Sequence, residues 1–290
     1  MRVLVFGAGG QVGRAVVQWV PAGHEVLAKT RADADIADAS AVDRVLAQAR
    51  PDWVVNAGAY TAVDLAEDEP DRAAAVNDGA AGILADAAGR AGSRLLHLST
   101  DFVFDGSSSR AYRPGDAPRP LGVYGATKLN GERRVLAAGK CAGIVLRTAW
   151  VYASAGRNFA LTMLRLMGER EQVRVVCDQI GAPTWASGLA RAMWSLMEAD
   201  APPGIHHWTD LGVASWYDFA VAIQEEALAR GLLKRVSQIV PIATSEYPTR
   251  ARRPAFSVLD TSGARALART APAVHWRDNL RTMLDELRAA

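Results

Sequence analysis

The chain has 290 residues, more than the roughly 150 of an ordinary domain, so one large or two closely joined domains with a substantial core are expected. Its 33 basic and 31 acidic residues leave a net charge of only +2, too little field to make nucleic acid or an anionic membrane its main partner, and no apolar run approaches the roughly 18 residues of a membrane helix. Met1-Arg2 and the short Val3–Phe6 run lack the pattern of a secretory signal, and Cys141 and Cys177 fall outside any C-x-x-C pattern; these features exclude a disulfide framework and a structural zinc site and point to a reducing cytoplasm.

In chain order, Arg2–Phe6 reads as a β-branched-rich strand, Gly7–Gly13 as a turn, and Val12–Val20 as a helix. A second strand is expected over His24–Ala28, a helix over Ser40–Arg50 and a buried strand over Asp52–Ala57. The alternation continues with an alanine-rich helix over Asp71–Arg90, a strand over Arg94–Ser99, a helix over Tyr124–Ala138 and a strand over Gly143–Thr148. Parallel strands need crossover helices, so this rhythm predicts an α/β fold, a doubly wound parallel sheet of Rossmann type. Residues 1–152 would form the dinucleotide-binding domain. Residues 153–290 would form mainly a smaller substrate-binding domain capping the sheet, with some segments rejoining the first. Helices are expected there at Asn158–Glu169, Trp185–Ala199, Trp216–Arg230 and Trp276–Arg288. The long Ser/Gly/Pro-rich stretch Asp105–Val123 is expected to line a site.

Gly7-Ala-Gly-Gly10-Gln-Val-Gly13 follows a strand and opens a helix, the setting in which backbone N–H groups hold a pyrophosphate. Its glycine spacing is one residue longer than the common fingerprint. The second strand ends in Lys29-Thr30-Arg31-Ala32-Asp33. Lys29 or Arg31 can pair with a ribose 2′-phosphate and Asp33 with a ribose diol, so NADPH is the expected cofactor with NADH as the alternative.

Tyr124 and Lys128 lie one helical turn apart and face the same way. Six tyrosines and four lysines in the whole chain give an expectation of about 0.08 pairs at this spacing. An ammonium beside a phenol stabilises the phenolate and prepares it for acid–base work. Ser99-Thr100-Asp101 ends a parallel strand, at the edge where doubly wound folds bind ligands, and a Thr100 hydroxyl there can bond a carbonyl or the phenol. Arg250-Ala-Arg252-Arg253 offers guanidinium groups to a diphosphate, whereas His206-His207 reads as strand packing and Trp185 and Trp194 as core.

These features, with Asn56-Ala-Gly-Ala-Tyr-Thr-Ala-Val-Asp64, Ser99-Thr-Asp-Phe-Val-Phe-Asp-Gly106, Val123-Tyr-Gly-Ala-Thr-Lys-Leu-Asn-Gly-Glu132, Arg147-Thr-Ala-Trp-Val-Tyr152, Asp178-Gln-Ile-Gly-Ala-Pro-Thr184 and Ala251-Arg-Arg-Pro254, resemble the extended short-chain dehydrogenase/reductases over nearly the full length. Within that superfamily the chain is similar to the dTDP-4-dehydrorhamnose reductase family. The resemblance implies hydride transfer from NAD(P)H to C4 of a 4-keto nucleotide sugar, with Tyr124 as proton donor, Lys128 lowering its pKa and binding the nicotinamide ribose, and Thr100 tuning the phenol. It implies cofactor contacts at Gly7, Gly10, Gln11, Val12, Asp35, Ile36, Ala59, Tyr60 and Thr61. It implies sugar contacts at Thr100, Asp101 and Trp150; Asn158 and Gln179 are candidates for nucleotide or sugar contact, with turn or cap roles as the alternative, and Arg253 is a candidate for the diphosphate.

Some members of that family bridge two subunits through magnesium held by three glutamates. The matching positions here are Ala15, Ser187 and Glu286, so no metal and a monomer or metal-independent homodimer are expected. Other readings of the same residues are a different nucleotide-sugar 4-ketoreductase, an epimerase that recycles its cofactor, or a regulatory subunit without turnover. A dehydratase is disfavoured because Phe102, not glutamate, follows Asp101.

Overall fold

Val3, Leu4, Val5 and Phe6 are all fully buried, as a strand covered on both faces requires; they lie in β1 (Arg2–Phe6). The structure is a computed structural model and describes residues 1–289. After β1 come α1 (Gln11–Gln18), β2 (Glu25–Lys29), α2 (Ala39–Ala49), β3 (Trp53–Asn56), α3 (Val63–Ala66), α4 (Pro70–Ala74), α5 (Ala80–Ala91), β4 (Arg94–Thr100), α6 (Val123–Ala137) and β5 (Ile144–Thr148). These supply five strands of a six-stranded sheet ordered β10-β5-β4-β3-β1-β2, parallel at every pairing. The sixth, β10 (Gly204–His207), arrives from the second half of the chain.

Alternating residues of β1 divide the core into two layers. Val3 and Val5 pack with Val16 of α1 and Leu189 of the later helix α8 (Ala186–Glu198). Leu4 and Phe6 pack with Leu46 of α2 and Leu84 of α5 on the other face. Both faces are therefore covered, the doubly wound arrangement read from the sequence. The strand order reverses at β1, which lies between β2 and β3, and such a switch point opens a crevice at the carboxyl ends of the strands.

The remaining elements are β6 (Val151–Tyr152), α7 (Phe159–Glu169), β7 (Gln172–Val176), β8 (Ile180–Gly181), β9 (Thr184–Trp185), β11 (Ala214–Ser215), α9 (Trp216–Ala229), β12 (Gln238–Ile242), α10 (Ser262–Leu267) and α11 (Trp276–Ala289). Short pairs β6–β9, β7–β12 and β8–β11 hold a second core in which Tyr152, Met163, Trp185, Phe219 and Trp276 meet. Ser215 and Asp218 form a capping box that starts α9, and the Asn158 side chain accepts the Leu161 N–H to start α7. Trp194 is buried and donates to the Val16 carbonyl at 2.9 Å, joining α8 to α1.

Two expectations change. The helix expected at Asp71–Arg90 is interrupted by a π-helical turn at Ala75–Gly79, which turns Asn77 inward. The Asp105–Val123 stretch lies outside the walls of the cavities at the switch point and beside β7, and its Ala111 lines a smaller open one of about 280 Å³. It is instead anchored on packing: Tyr112 stacks on Phe104 at 4.1 Å, and its N–H donates to the Val258 carbonyl.

Candidate active site

Gly7 has φ +78°, and a Cβ built on it would lie 2.4 Å from the Gly58 nitrogen. A Cβ on Gly13 would lie 2.2 Å from the Gly7 carbonyl oxygen, so both glycines let α1 and the end of β3 close on the turn. Gly10 donates to the Gly7 carbonyl at 3.0 Å and starts α1 with no side chain capping it. The free N–H groups and positive end of α1 thus face the switch-point crevice, a fit for a dinucleotide pyrophosphate.

A cavity of about 320 Å³ opens there, and its walls include Gly7, Gly10, Arg31, Asp35, Ile36, Ala59 and Tyr60. Gln11, Val12 and Thr61 are not among its walls. Asp33, offered above for the ribose diol, is not among them either. Its carboxylate accepts from the Thr30 N–H and hydroxyl, which hold it below the usual carboxylate range and spend it on the turn. Asp35 is the acid at the cavity, with the exposed Arg31 guanidinium 3.6 Å away. Asn77, on the π turn, fixes the cavity's far wall: it accepts the Tyr60 N–H and donates to the Tyr60 carbonyl and to Thr127 Oγ1 on α6.

Tyr124 and Lys128 lie on α6, whose first N–H is accepted by Glu67 at 2.8 Å. Thr100 and Asp101 close β4, and the Thr100 hydroxyl donates to Asp101 while accepting the Phe102 N–H. Burial pushes the Tyr124 phenol up to about 12; hydrogen bonding with Thr100 opposes this, and Asp101 adds to it. Burial outweighs any pull of Lys128 on the phenol, and the contacts of the lysine lie elsewhere. Lys128 Nζ donates to the Leu98 carbonyl at 2.6 Å and lies 3.4 Å from His97 Nε2, so its charge is directed into the sheet. Burial takes Lys128 down to about 8, against an upward pull from Glu132. Burial likewise lifts Asp101 to about 6, against hydrogen bonds from Ser257 and Thr100.

A larger cavity, about 610 Å³, lies in the second half, between α7, β7 and β12. Gln179 and Arg253 line it, but Tyr124 does not, so size alone would misplace the chemistry. Gln179 is held by Thr244 and by the Trp216 indole N–H. Arg253 pairs with Asp64 at 2.7 Å, and Arg250 pairs with Asp68. Trp150 has φ +47° and stacks on Trp216 with centroids 3.5 Å apart; Gly181 leaves room for its ring. Asn158 does not stand free: besides capping α7, it donates to Gln11 Oε1 and to the Ala153 carbonyl, joining the two halves beside the glycine turn.

His207 is buried on the sheet while His206 faces the other way toward the Pro202 carbonyl, and Trp185 and Trp194 are core. Asn77, Glu67 and His97 were not singled out from the sequence. His97 left a faint signal, a lone imidazole in the apolar run Leu95-Leu-His-Leu98.

The whole described chain, residues 1–289, matches the family whose description is RmlD substrate binding domain. The chain belongs to that family. Among its curated relatives, a dTDP-4-dehydrorhamnose reductase of Burkholderia thailandensis is 44% identical over 271 residues, covering 89% of this chain and 90% of the relative. The solved dTDP-4-dehydrorhamnose reductase of Clostridium acetobutylicum superposes with TM-score 0.91 at 35% identity, covering 99% of this chain and 100% of that one. That of Bacillus anthracis, solved in complex with NADP, gives TM-score 0.91 at 31% identity over 98% and 99% of the two chains. In this RmlD-family chain the helices on both sheet faces and the switch-point crevice therefore belong to a fold shared along its full length.

Proposed function

We propose that the protein reduces the C4 ketone of dTDP-4-dehydro-L-rhamnose to the alcohol of dTDP-L-rhamnose, the last step in supplying that sugar for cell-surface polysaccharide. The observation that carries this reading is a half-buried phenol, Tyr124, beside Thr100 at the carboxyl end of β4 and one turn from a buried lysine. With its pKa pushed to about 12, Tyr124 is protonated at neutral pH, the state a proton donor for ketone reduction needs. The family membership and the relatives' activity support the same direction of chemistry.

NADPH, with NADH as alternative donor, supplies the hydride. Gly7, Gly10, Gln11 and Val12 would hold its pyrophosphate, Arg31 a 2′-phosphate, Asp35 and Ile36 the adenosine end, and Ala59, Tyr60 and Thr61 its middle. As a hydride reaches C4, the carbonyl π pair moves to oxygen and Tyr124 Oη gives that oxygen its proton. Thr100 orients the phenol, and Lys128 would bind the nicotinamide ribose and favour the resulting phenolate. Asp101 and Trp150 would contact the sugar, with Asn158, Gln179 and Arg253 on the nucleotide side. Residues 1–152 and 153–290 divide mainly into cofactor-binding and substrate-binding parts.

No helix among the described residues is long and apolar enough to cross a membrane. We place the enzyme in the cytoplasm, where its nucleotide substrates are made. Lacking carboxylates at positions 15 and 187, it works as a monomer or a metal-independent homodimer. A magnesium-dependent, EDTA-reversible dimer in sedimentation would overturn that part. The activity is tested by mixing protein, dTDP-4-dehydro-L-rhamnose and each reduced cofactor. Stoichiometric loss of cofactor absorbance is expected, whereas an epimerase would consume none, and no oxidation of either cofactor defeats the reading.

A further inference from the structure

Asn56 and His97 are directly opposed residues of β3 and β4, and both are buried behind Lys128. The Gly58 N–H donates to Asn56 Oδ1 at 3.1 Å, which fixes the amide: its nitrogen points the other way, 3.0 Å from His97 Nδ1. An amide nitrogen offers only protons, so Nδ1 must accept one. His97 is fully buried, and burial first and Lys128 second hold it well below the usual imidazole range, so the ring is neutral. Its single proton then sits on Nε2, and Nε2 faces Lys128 Nζ at 3.4 Å.

That contact discriminates between the two forms of the lysine. An ammonium has three donors and no acceptor, so an imidazole N–H pointing at it is an unsatisfied encounter between two donors. A neutral amine has a lone pair for the His97 N–H and still donates to the Leu98 carbonyl. We propose that His97, locked by Asn56 as the Nε2–H tautomer, is a positioning residue that sets the protonation of Lys128. The lysine is thereby held as a group that exchanges its proton close to neutrality, where a solvated lysine would stay a fixed cation.

The other groups facing Lys128 bear on the same balance. Glu132, one turn further along α6, favours the ammonium, but its oxygens are occupied by Arg147 and the Ser99 hydroxyl. Tyr124 stays neutral at working pH, and Asp101 lies beside the phenol at the end of β4.

The proposal concerns Lys128 in the free protein and rests on the reductase reading only where turnover is measured. Nitrogen-15 NMR of histidine-labelled wild-type protein should show His97 with a bare Nδ1 and a protonated Nε2; the opposite tautomer overturns the proposal even if no activity is ever found. His97→Phe removes the N–H without adding charge, and Asn56→Asp gives Nδ1 an acceptor and moves the proton to that side. In both variants the Lys128 titration, followed by carbon-13 NMR of its ε-methylene, and the alkaline limb of kcat/KM should move up by about one pH unit, a tenfold change in proton affinity. A variant that loses kcat at every pH while both the limb and the lysine titration stay where they are in the wild type shows His97 to be packing alone and sinks the idea. If either variant fails to fold, the wild-type tautomer still decides.

Discussion

Glu132 and Arg147 form an ion pair in which each side chain is only 1% exposed, with Arg147 Nε and Nη2 donating to the two carboxylate oxygens at 2.8 and 2.6 Å. The pair ties α6, which carries Tyr124 and Lys128, to β5 beneath it. Removing one member leaves a buried charge with no counterpart, which typically costs about 3–5 kcal/mol. Arg147→Met should therefore lower unfolding stability by that order in urea titrations, and Glu132→Gln by a similar amount. The double variant Glu132→Gln with Arg147→Met should lose less than the sum, since no isolated charge remains.

Tyr124→Phe keeps the ring, and with it the edge-on contact with Phe102 at 5.6 Å, while deleting the proton donor. Reduction should fall by about two to four orders of magnitude, the usual contribution of a positioned acid. Cofactor binding, followed by fluorescence titration, should change little. An unchanged turnover rate would remove Tyr124 from the assigned role.

Asp210 gives a pH prediction away from the chemistry. Burial lifts its carboxyl to about 7, although hydrogen bonds from Asn279 and the Trp185 N–H and the charge of Arg265 act against it. Between about pH 4 and about pH 7 the folded protein keeps a proton that the unfolded chain has shed, so this group's stabilising contribution is full at the acid end and lost as pH rises through 7. Asp210→Asn does not titrate. Its melting temperature relative to wild type should therefore be higher at about pH 8 than at about pH 5, by several degrees. A pH-independent difference would show that Asp210 ionises no differently when folded.

Gly13→Ala places a methyl group 2.2 Å from the Gly7 carbonyl, a backbone atom that cannot swing aside. The start of α1 must lift from the turn. Overpacking of this kind costs about 1–3 kcal/mol, and the pyrophosphate site is the part displaced, so NADPH affinity should drop more than thermal stability suggests. Calorimetric titration with NADPH beside a melting curve checks both.

The sheet was legible because β1, β3 and β5 are short apolar runs between segments of helical period, and that pattern allows few arrangements. Tyr124, Lys128 and the glycine turn were legible because their chemistry depends on close sequence spacing. What escaped notice depends on contacts across the chain. Asp33 and Asp35 differ by two positions, and only the turn made by Thr30 spends one and leaves the other at the cavity. Lys128 was read against Tyr124, its neighbour on the helix, but His97 and Leu98 from another element decide where its charge points. Asn77 became visible only once a π turn rotated it toward Tyr60 and Thr127.

The outermost strand of the sheet, β10, also matters to a chain leaving the ribosome. All five residues of β5 are buried, and β10 pairs with it from Ile144 to Arg147. Until Gly204–His207 have been made, β5 is an apolar border with open hydrogen-bonding groups, ready to recruit a strand from a nascent neighbour. A fragment ending at Tyr152 would keep that border permanently and would also lose Trp194 from the face of α1. Residues 1–152 are thus not expected to form a separable module: their solubility would depend on residues encoded about fifty positions downstream.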